Sequence, residues 1–179
     1  DLINCINDLI RPLINNDKII QLKMFLTEQN KTLSKKEIHK AFINDSIFFE
    51  GVVDNGENRL RYISRLVDDI ENCFEFEYAK YGLDNKFGIV DEENRNIISD
   101  ELYQFMSKDK SVQYSNSALL KNVVEIIESY KINLLRSKND LNEYQVSWIL
   151  KKDYRLNNNI FSLGRGIWSL ENNQKREEI

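Results

Sequence analysis

Ile160-Phe161-Ser162-Leu163-Gly164-Arg165-Gly166-Ile167-Trp168-Ser169-Leu170 is the stretch that decides how this chain is read. Two short runs of apolar and small polar residues flank Gly164-Arg165-Gly166. Glycine reaches positive φ without a steric penalty, which tight turns between antiparallel strands require. The stretch therefore predicts two short strands joined at Gly-Arg-Gly, with Arg165 at the tip. Just upstream, Asn142 and Gln145 have the spacing of a capping box and predict a helix over Glu143–Lys152. At helical spacing Val146, Ile149 and Leu150 share an inward face. Tyr144, Gln145, Ser147, Trp148, Lys151 and Lys152 are then left on or near the other side. Before that helix, Leu120, Val123, Ile127, Tyr130 and Leu134 recur at steps of three and four, predicting a helix over Asn116–Ser137. A shorter helix is expected across Ser99–Met106, after a polar link at Asp91-Glu92-Glu93-Asn94.

The first half reads in a similar order. Leu9, Leu13, Ile20, Leu22, Phe25 and Leu26 form a helical stripe, with Pro12 suited to a helix start. Ser34 and Glu37 make a second capping-box spacing ahead of Ile38, Ala41 and Phe42. Asp54-Asn55-Gly56-Glu57-Asn58 is turn chemistry, and Arg59–Ile70 follows as a helix. Cys73-Phe74-Glu75-Phe76-Glu77-Tyr78 alternates aromatic and acidic residues, the period of a strand. Its turn is expected within Tyr81–Lys86 and its partner strand within Phe87–Val90. The order helix, helix, helix, hairpin thus occurs twice without a residue-level repeat. The expected fold is mainly α with minor β, in two tandem units, 1–93 and 94–179, each closed by a short β-hairpin.

Composition bounds the function. The chain has 179 residues, 41% hydrophobic and 30% charged, enough to bury a core in one domain or two small ones. Six glycines and one proline argue against an all-β, loop-rich fold. The net charge of −4 is uneven. Residues 1–107 hold 13 Lys/Arg against 20 Asp/Glu, residues 108–165 hold 10 against 6, and the tail holds 2 against 3. An anion-binding surface is therefore expected in the second half. No apolar run approaches the roughly 18–20 residues of a membrane span, and no signal peptide is visible. Cys5 and Cys73 fit no metal spacing and read as free thiols in a reducing compartment. The expected location is the cytoplasm, or the nucleoid or nucleus. The start at Asp1 suggests a fragment of a longer protein.

Val146-Ser147-Trp148-Ile149-Leu150-Lys151-Lys152-Asp153, followed by the Phe-x-Leu-Gly-Arg-Gly-x-Trp string at 161–168, resembles the end of a HARE-type helix-turn-helix domain. Such domains occur in restriction endonucleases, chromatin proteins and the delta subunit of bacterial RNA polymerase. The resemblance is close over Tyr144–Leu170 and loose back to Asn116. It implies a winged helix-turn-helix and a DNA-binding role, in transcription regulation or restriction-modification. Tyr144, Gln145, Ser147, Trp148, Lys151 and Lys152 would then line the reading helix, flanked by Arg155 and by Arg165 at the wing tip. Gln suits an adenine edge, Lys a guanine or a phosphate, and Ser either. Double-stranded DNA is the partner this implies.

Blander readings stand beside that one. Phe161 and Trp168 read as core, and Trp148 is open between core and exposed contact. Lys151 and Lys152 equally fit a solvated helix end, where cations suit the helix dipole. Arg59, Arg61 and Arg65 cluster in the first half, but Asp68, Asp69 and Glu71 follow at once. A structural or protein-contact role suits that unit better, and a protein-interaction module is the alternative for the whole chain.

No catalytic centre is expected. His39 is the only histidine, so no histidine triad or His-Cys metal cluster can be built. No P-loop or dinucleotide fingerprint is present. Asp84-Asn85-Lys86 with Asp69 imitates part of a nuclease core, but it falls on an expected turn. No cofactor or metal is expected.

Overall fold

The computed structural model describes residues 16–53, 55–156 and 160–171, with the backbone alone for 152–156. Cys5, Leu9, Pro12, Leu13, Asp54 and the tail from Asn172 lie outside the described residues. So do the side chains of Lys152 and Arg155. The chain divides into two compact units, Asp1–Phe87 and Gly88–Ile179. The division falls a few residues before the expected one at 93/94. The cause is Ile89, whose N–H donates to Gln145 Oε1 at 3.0 Å and whose carbonyl accepts from the Leu135 N–H at 2.9 Å. These bonds tie the residues after Phe87 to the second unit.

In the first unit, helix α1 (16–27) is followed by β1 (Leu33–Ser34), α2 (Lys35–Phe42), α3 (Gly56–Asp69), β2 (Cys73–Glu77), β3 (Lys80–Leu83) and a single helical turn, α4 (Asp84–Phe87). The second unit runs α5 (Glu92–Met106), β4 (Tyr114–Ser115), α6 (Asn116–Ser129), a 3₁₀ turn at Lys138–Asp140, α7 (Glu143–Leu156), β5 (Phe161–Gly164) and β6 (Ile167–Ser169). Both units are α-dominant, and each carries one small antiparallel sheet. In each the earliest strand pairs with the last, in the orders β1-β3-β2 and β4-β6-β5.

The two-residue strands β1 and β4 are too short to leave a period in the sequence. Their place is set by a serine with two tasks. Ser34 ends β1 and caps α2, accepting from the Glu37 N–H at 3.1 Å while Glu37 accepts from the Ser34 N–H at 3.1 Å. This is the expected capping box. Ser115 ends β4 and caps α6, accepting from the Ala118 N–H at 3.1 Å. One residue thus ties each sheet to the start of the second helix of its unit.

The first core collects one face of each helix: Leu22 and Leu26 of α1, Ile38 and Phe42 of α2, Ile63, Leu66 and Val67 of α3. Phe42 stacks on Phe48 at 4.0 Å, and Phe25 meets Phe42 edge-on at 5.0 Å. Each such side chain contributes about 1.5–3 kcal/mol by leaving water.

The first hairpin departs from its expected register. The turn is Tyr78-Ala79, with Ala79 at φ 53°, and the return strand is Lys80–Leu83. Gly82 reads as a turn residue in the sequence, but it lies within β3, where the Phe87 ring sits on it. A Cβ at Gly82 would lie 2.4 Å from that ring. The glycine marks a close approach rather than a turn; Asp84–Phe87 coils into α4, and the strand expected within Phe87–Val90 does not form.

Helix α5 begins at Glu92, capped by Asp91, so the acidic link is its first turn. Helix α6 ends at Ser129, well short of Ser137. Leu119 and Val123 are its buried residues, Leu120 and Ile127 are half-buried, and Tyr130 is 52% exposed. The buried stripe is therefore rotated from the expected one.

Candidate nucleic-acid interface

Helix α7 is opened by Asn142, whose Oδ1 accepts from the N–H groups of Tyr144 at 3.0 Å and Gln145 at 3.2 Å. The reciprocal half of the expected capping box is missing, because the Gln145 side chain turns inward to the Ile89 N–H. Val146, Ile149 and Leu150 are buried as the spacing predicts. Gln145 and Trp148 are buried as well, at 3% and 2% exposure. That corrects the placing of both among the DNA-binding residues, and of the two readings left open for Trp148 the core one holds. The Arg95 guanidinium of α5 lies 4.5 Å over the Trp148 ring and donates to the Trp148 carbonyl. Trp148 is thus core, held by a buried arginine that also faces Glu92 at 3.9 Å.

The outward part of α7 is narrower than the sequence suggests. Tyr144, Ser147 and Lys151 are half-buried and follow one another at steps of three and four, so they form one stripe. Ser147 Oγ accepts from Asn116 Nδ2 at 2.8 Å. Glu143, exposed at the helix start, accepts from the Ser117 hydroxyl and adds a negative charge beside the stripe. Lys152 and Arg155 continue the helix, with side chains outside the described residues.

Arg165 is exposed at the tip of the second hairpin, as expected. Gly164, Arg165 and Gly166 all have positive φ, at 87°, 54° and 70°. The turn residues Arg165 and Gly166 therefore have the φ signs of the tight hairpin turn that follows strand twist. A Cβ at Gly166 would come within 2.6 Å of Asn116 Nδ2, so glycine is needed there for space as well as for φ.

Sequence reasoning missed Asn116, the residue that assembles this region. Its N–H donates to the Gly166 carbonyl at 2.8 Å, its Oδ1 accepts from Trp168 Nε1 at 2.7 Å, and its Nδ2 reaches Ser147. The start of α6, the middle of α7 and the hairpin base meet at this one side chain. No spacing rule links positions 116, 147 and 168. Only the fold joins them.

Further cations surround unit two without a local motif. Lys108 and Lys110 are exposed in the loop before β4, and Lys121 is exposed on α6. Asp109, between the two loop lysines, accepts from the Ser111 hydroxyl and N–H, which hold its carboxyl below the usual range.

In the first unit, Arg59 packs 4.4 Å over the Phe49 ring and donates to the Ile43 carbonyl at 3.2 Å. Arg61 pairs with Glu57 at 2.7 Å, and Arg65 is exposed. His39 packs edge-on against Phe49 at 5.7 Å. Lys86 donates to the Gln29 carbonyl at 2.8 Å. Among the described residues no three His, Cys, Asp or Glu side chains are grouped to hold a metal ion. Cys73 is buried, and no described helix is long and apolar enough to cross a membrane.

No family model matches the chain, and neither a curated protein nor a solved structure is significantly similar to it. The likeness to HARE-type domains rests on the residues quoted for it.

Proposed function

We propose that the chain carries two winged helix-turn-helix units and that the second, Gly88–Ile179, binds double-stranded DNA in a non-catalytic role. The element order helix, strand, helix, helix, strand, strand in each unit supports the architecture. One observation carries the functional reading. Arg165 is presented at the tip of a hairpin that Asn116 fastens to α7. A cation on a hairpin tied through Asn116 to the helix that carries Ser147 is suited to a phosphate-lined groove. A role in transcription regulation or in the recognition part of a restriction enzyme fits such a module.

The test is an anisotropy titration of a random-sequence duplex at two salt concentrations. Affinity falls steeply with salt, because each phosphate contact releases counterions. Replacing Lys151, Lys152 and Arg165 with Ala weakens binding and flattens the salt slope by roughly one unit for each phosphate no longer neutralised. Absence of binding at low salt, or indifference to these changes, overturns the reading.

A protein-contact role for the first unit is favoured by a separate observation. Ile20 and Met24, one turn apart on α1, are exposed, as are Ile43, Ile47 and Val53. Exposed apolar side chains of this size are typical of contact surfaces when they cluster. Light scattering on the Ile20→Glu, Met24→Glu double variant checks for self-association through α1. A mass unchanged from the wild type removes that route.

A further inference from the structure

We propose that Asn55 is a site of spontaneous covalent modification: its side-chain amide is lost to attack by the Gly56 backbone nitrogen, and the start of α3 gates the reaction. The inference is independent of the DNA-binding reading, since it concerns the first unit alone.

The chemistry lies in the dipeptide. Asparagine is among the less durable side chains in water. The backbone nitrogen of the next residue can attack its Cγ, and a side chain on that residue obstructs the approach. Glycine presents none. Asn55-Gly56 is the one Asn-Gly pair in the sequence; the other glycines follow Glu50, Tyr81, Phe87, Leu163 and Arg165. Both residues are exposed, and a Cβ built on Gly56 would meet no atom within 4 Å. In the first step Gly56 N gives its proton to water or hydroxide and bonds to Cγ, while the Cγ–Nδ2 bond breaks and ammonia leaves. The product is a cyclic succinimide. Water then opens the ring at either carbonyl. Cleaving the new bond gives aspartate. Cleaving the old peptide bond gives isoaspartate, with the main chain routed through the former side chain. Nothing is oxidised or reduced.

The fold opposes the first step. Asn55 caps α3 with φ −147° and ψ 154°, and its Oδ1 accepts from the Asn58 N–H at 2.8 Å. Its carbonyl accepts from the Arg59 N–H at 3.1 Å, the first bond of the helix. Ring closure needs Gly56 N turned to the same side of the Cα–C bond as Cβ, and the extended ψ holds the two apart. Closure therefore waits for the first turn of α3 to open. Arg59 holds that turn, packed 4.4 Å over the Phe49 ring and bonded to the Ile43 carbonyl at 3.2 Å. The two products differ in effect. Aspartate caps a helix as well as asparagine does, and its charge suits the helix start. Isoaspartate lengthens the main chain at the cap and displaces the carbonyl that the Arg59 N–H bonds. Asn142 is an internal control, because it caps α7 in the same way but is followed by Glu143.

The test incubates the full chain in mildly alkaline buffer, folded and in guanidinium. Positions 55 and 142 are followed by peptide mapping with mass detection, and isoaspartate is separated from aspartate by chromatography. In the denatured chain position 55 should convert to both products while position 142 stays intact over the same time. In the folded chain conversion at 55 should be about ten-fold slower or more, set by how rarely the helix end opens. Arg59→Ala loosens that end and leaves Asn55 and Gly56 in place, so its folded rate should lie between the two. Gly56→Ala fits the open space and should suppress conversion even in guanidinium. A denatured wild type in which Asn55 is no more labile than Asn142, or in which Gly56→Ala changes nothing, overturns the site. A folded chain that converts as fast as the denatured one, or an Arg59→Ala rate equal to that of the wild type, overturns the gate.

Discussion

Trp168 donates its indole N–H to Oδ1 of Asn116 at 2.7 Å, joining the last strand of the second sheet to the first residue of α6. The same amide donates to Ser147 of α7 at 2.8 Å. A buried indole needs a partner for its N–H, and a side chain that accepts on one atom and donates on the other can couple two elements at once.

Asn116→Ala should therefore lower the stability of the second unit by about 1–3 kcal/mol, the range for leaving a desolvated polar group unpaired. Asn116→Asp keeps the acceptor for Trp168 and loses only the donor to Ser147, so its loss should be smaller. Urea unfolding followed by tryptophan fluorescence checks the order. Equal losses for Ala and Asp would mean that the indole bond contributes little.

Part of this architecture is legible in the sequence, and the reasons are local. The Ser34–Glu37 box, the Gly-Arg-Gly turn and the inward set Val146, Ile149 and Leu150 each depend on residues a few positions apart. The rest depends on residues that are near in space and distant in sequence. Gln145 looks like a surface residue until Ile89 is placed beside it, and Trp148 looks ambiguous until Arg95 covers it. Gly82 has the composition of a turn and the job of making room for Phe87. The strands β1 and β4 show themselves only through their pairing with β3 and β6.

Helix α6 supplies a sharper case. It ends in a Schellman arrangement, with the Ile132 N–H donating to the Ile127 carbonyl at 3.0 Å and the Lys131 N–H to Glu128 at 3.3 Å. The left-handed position, usually glycine, is Lys131 at φ 51°. Without the glycine the stop is invisible, and periodicity alone carries the helix on to Ser137. A non-glycine residue there loses about 1–2 kcal/mol. Glycine's extra freedom in the unfolded chain returns about 0.4–1 kcal/mol of that. Lys131→Gly should thus stabilise by roughly 0.5–1 kcal/mol. Denaturant midpoints of the two proteins measure it, and a destabilised glycine variant would contradict the argument.

The capping box at α2 should be visible in acid. The Ser34 N–H holds the Glu37 carboxyl below its usual value, helped by Lys31 at 3.4 Å and by the Ser34 side chain, against a smaller opposing effect of burial. A depressed folded value means that its contribution is complete above the unfolded carboxylate pKa, near 4.3. It is lost as pH falls through the folded value. Glu37→Gln should leave stability less sensitive to pH in that acid window. Ser34→Ala should reduce stability at neutral pH by about 1 kcal/mol. It should also move the Glu37 titration upward in a carboxyl NMR experiment, and an unmoved titration would break the link between cap and carboxylate.

The Tyr62 hydroxyl is buried without a hydrogen-bond partner among the described residues. Burial pushes its pKa up to about 12. Because the folded value is raised, the stability linked to it is complete below the unfolded tyrosine value, near 10. That stability is lost as pH rises toward 12. Tyr62→Phe removes the orphaned hydroxyl and should leave neutral-pH stability unchanged or raised by up to about 1 kcal/mol. It should also soften the loss of stability above pH 10, which alkaline unfolding monitored by phenolate absorbance can follow. A variant weakened at neutral pH would reveal a partner for that oxygen.

Gln145 separates a structural role from a reading role on α7. Its amide oxygen satisfies the Ile89 N–H at 3.0 Å, and both residues are buried. Gln145→Ala leaves that N–H without its acceptor and should destabilise the second unit by about 1–3 kcal/mol. If Gln145 serves the fold alone, DNA affinity measured well below the melting temperature should not change, since a folded alanine variant keeps the same outer surface on α7 and the same Arg165. A base-reading Gln145 would behave in the opposite way. Stability would be nearly untouched, and affinity for the preferred sequence would fall by the roughly 1–3 kcal/mol of a bidentate bond to a base. Parallel unfolding and binding curves on one protein preparation distinguish the two. A loss of affinity without a loss of stability would place the glutamine on the DNA side of the helix, against its position at the Ile89 amide.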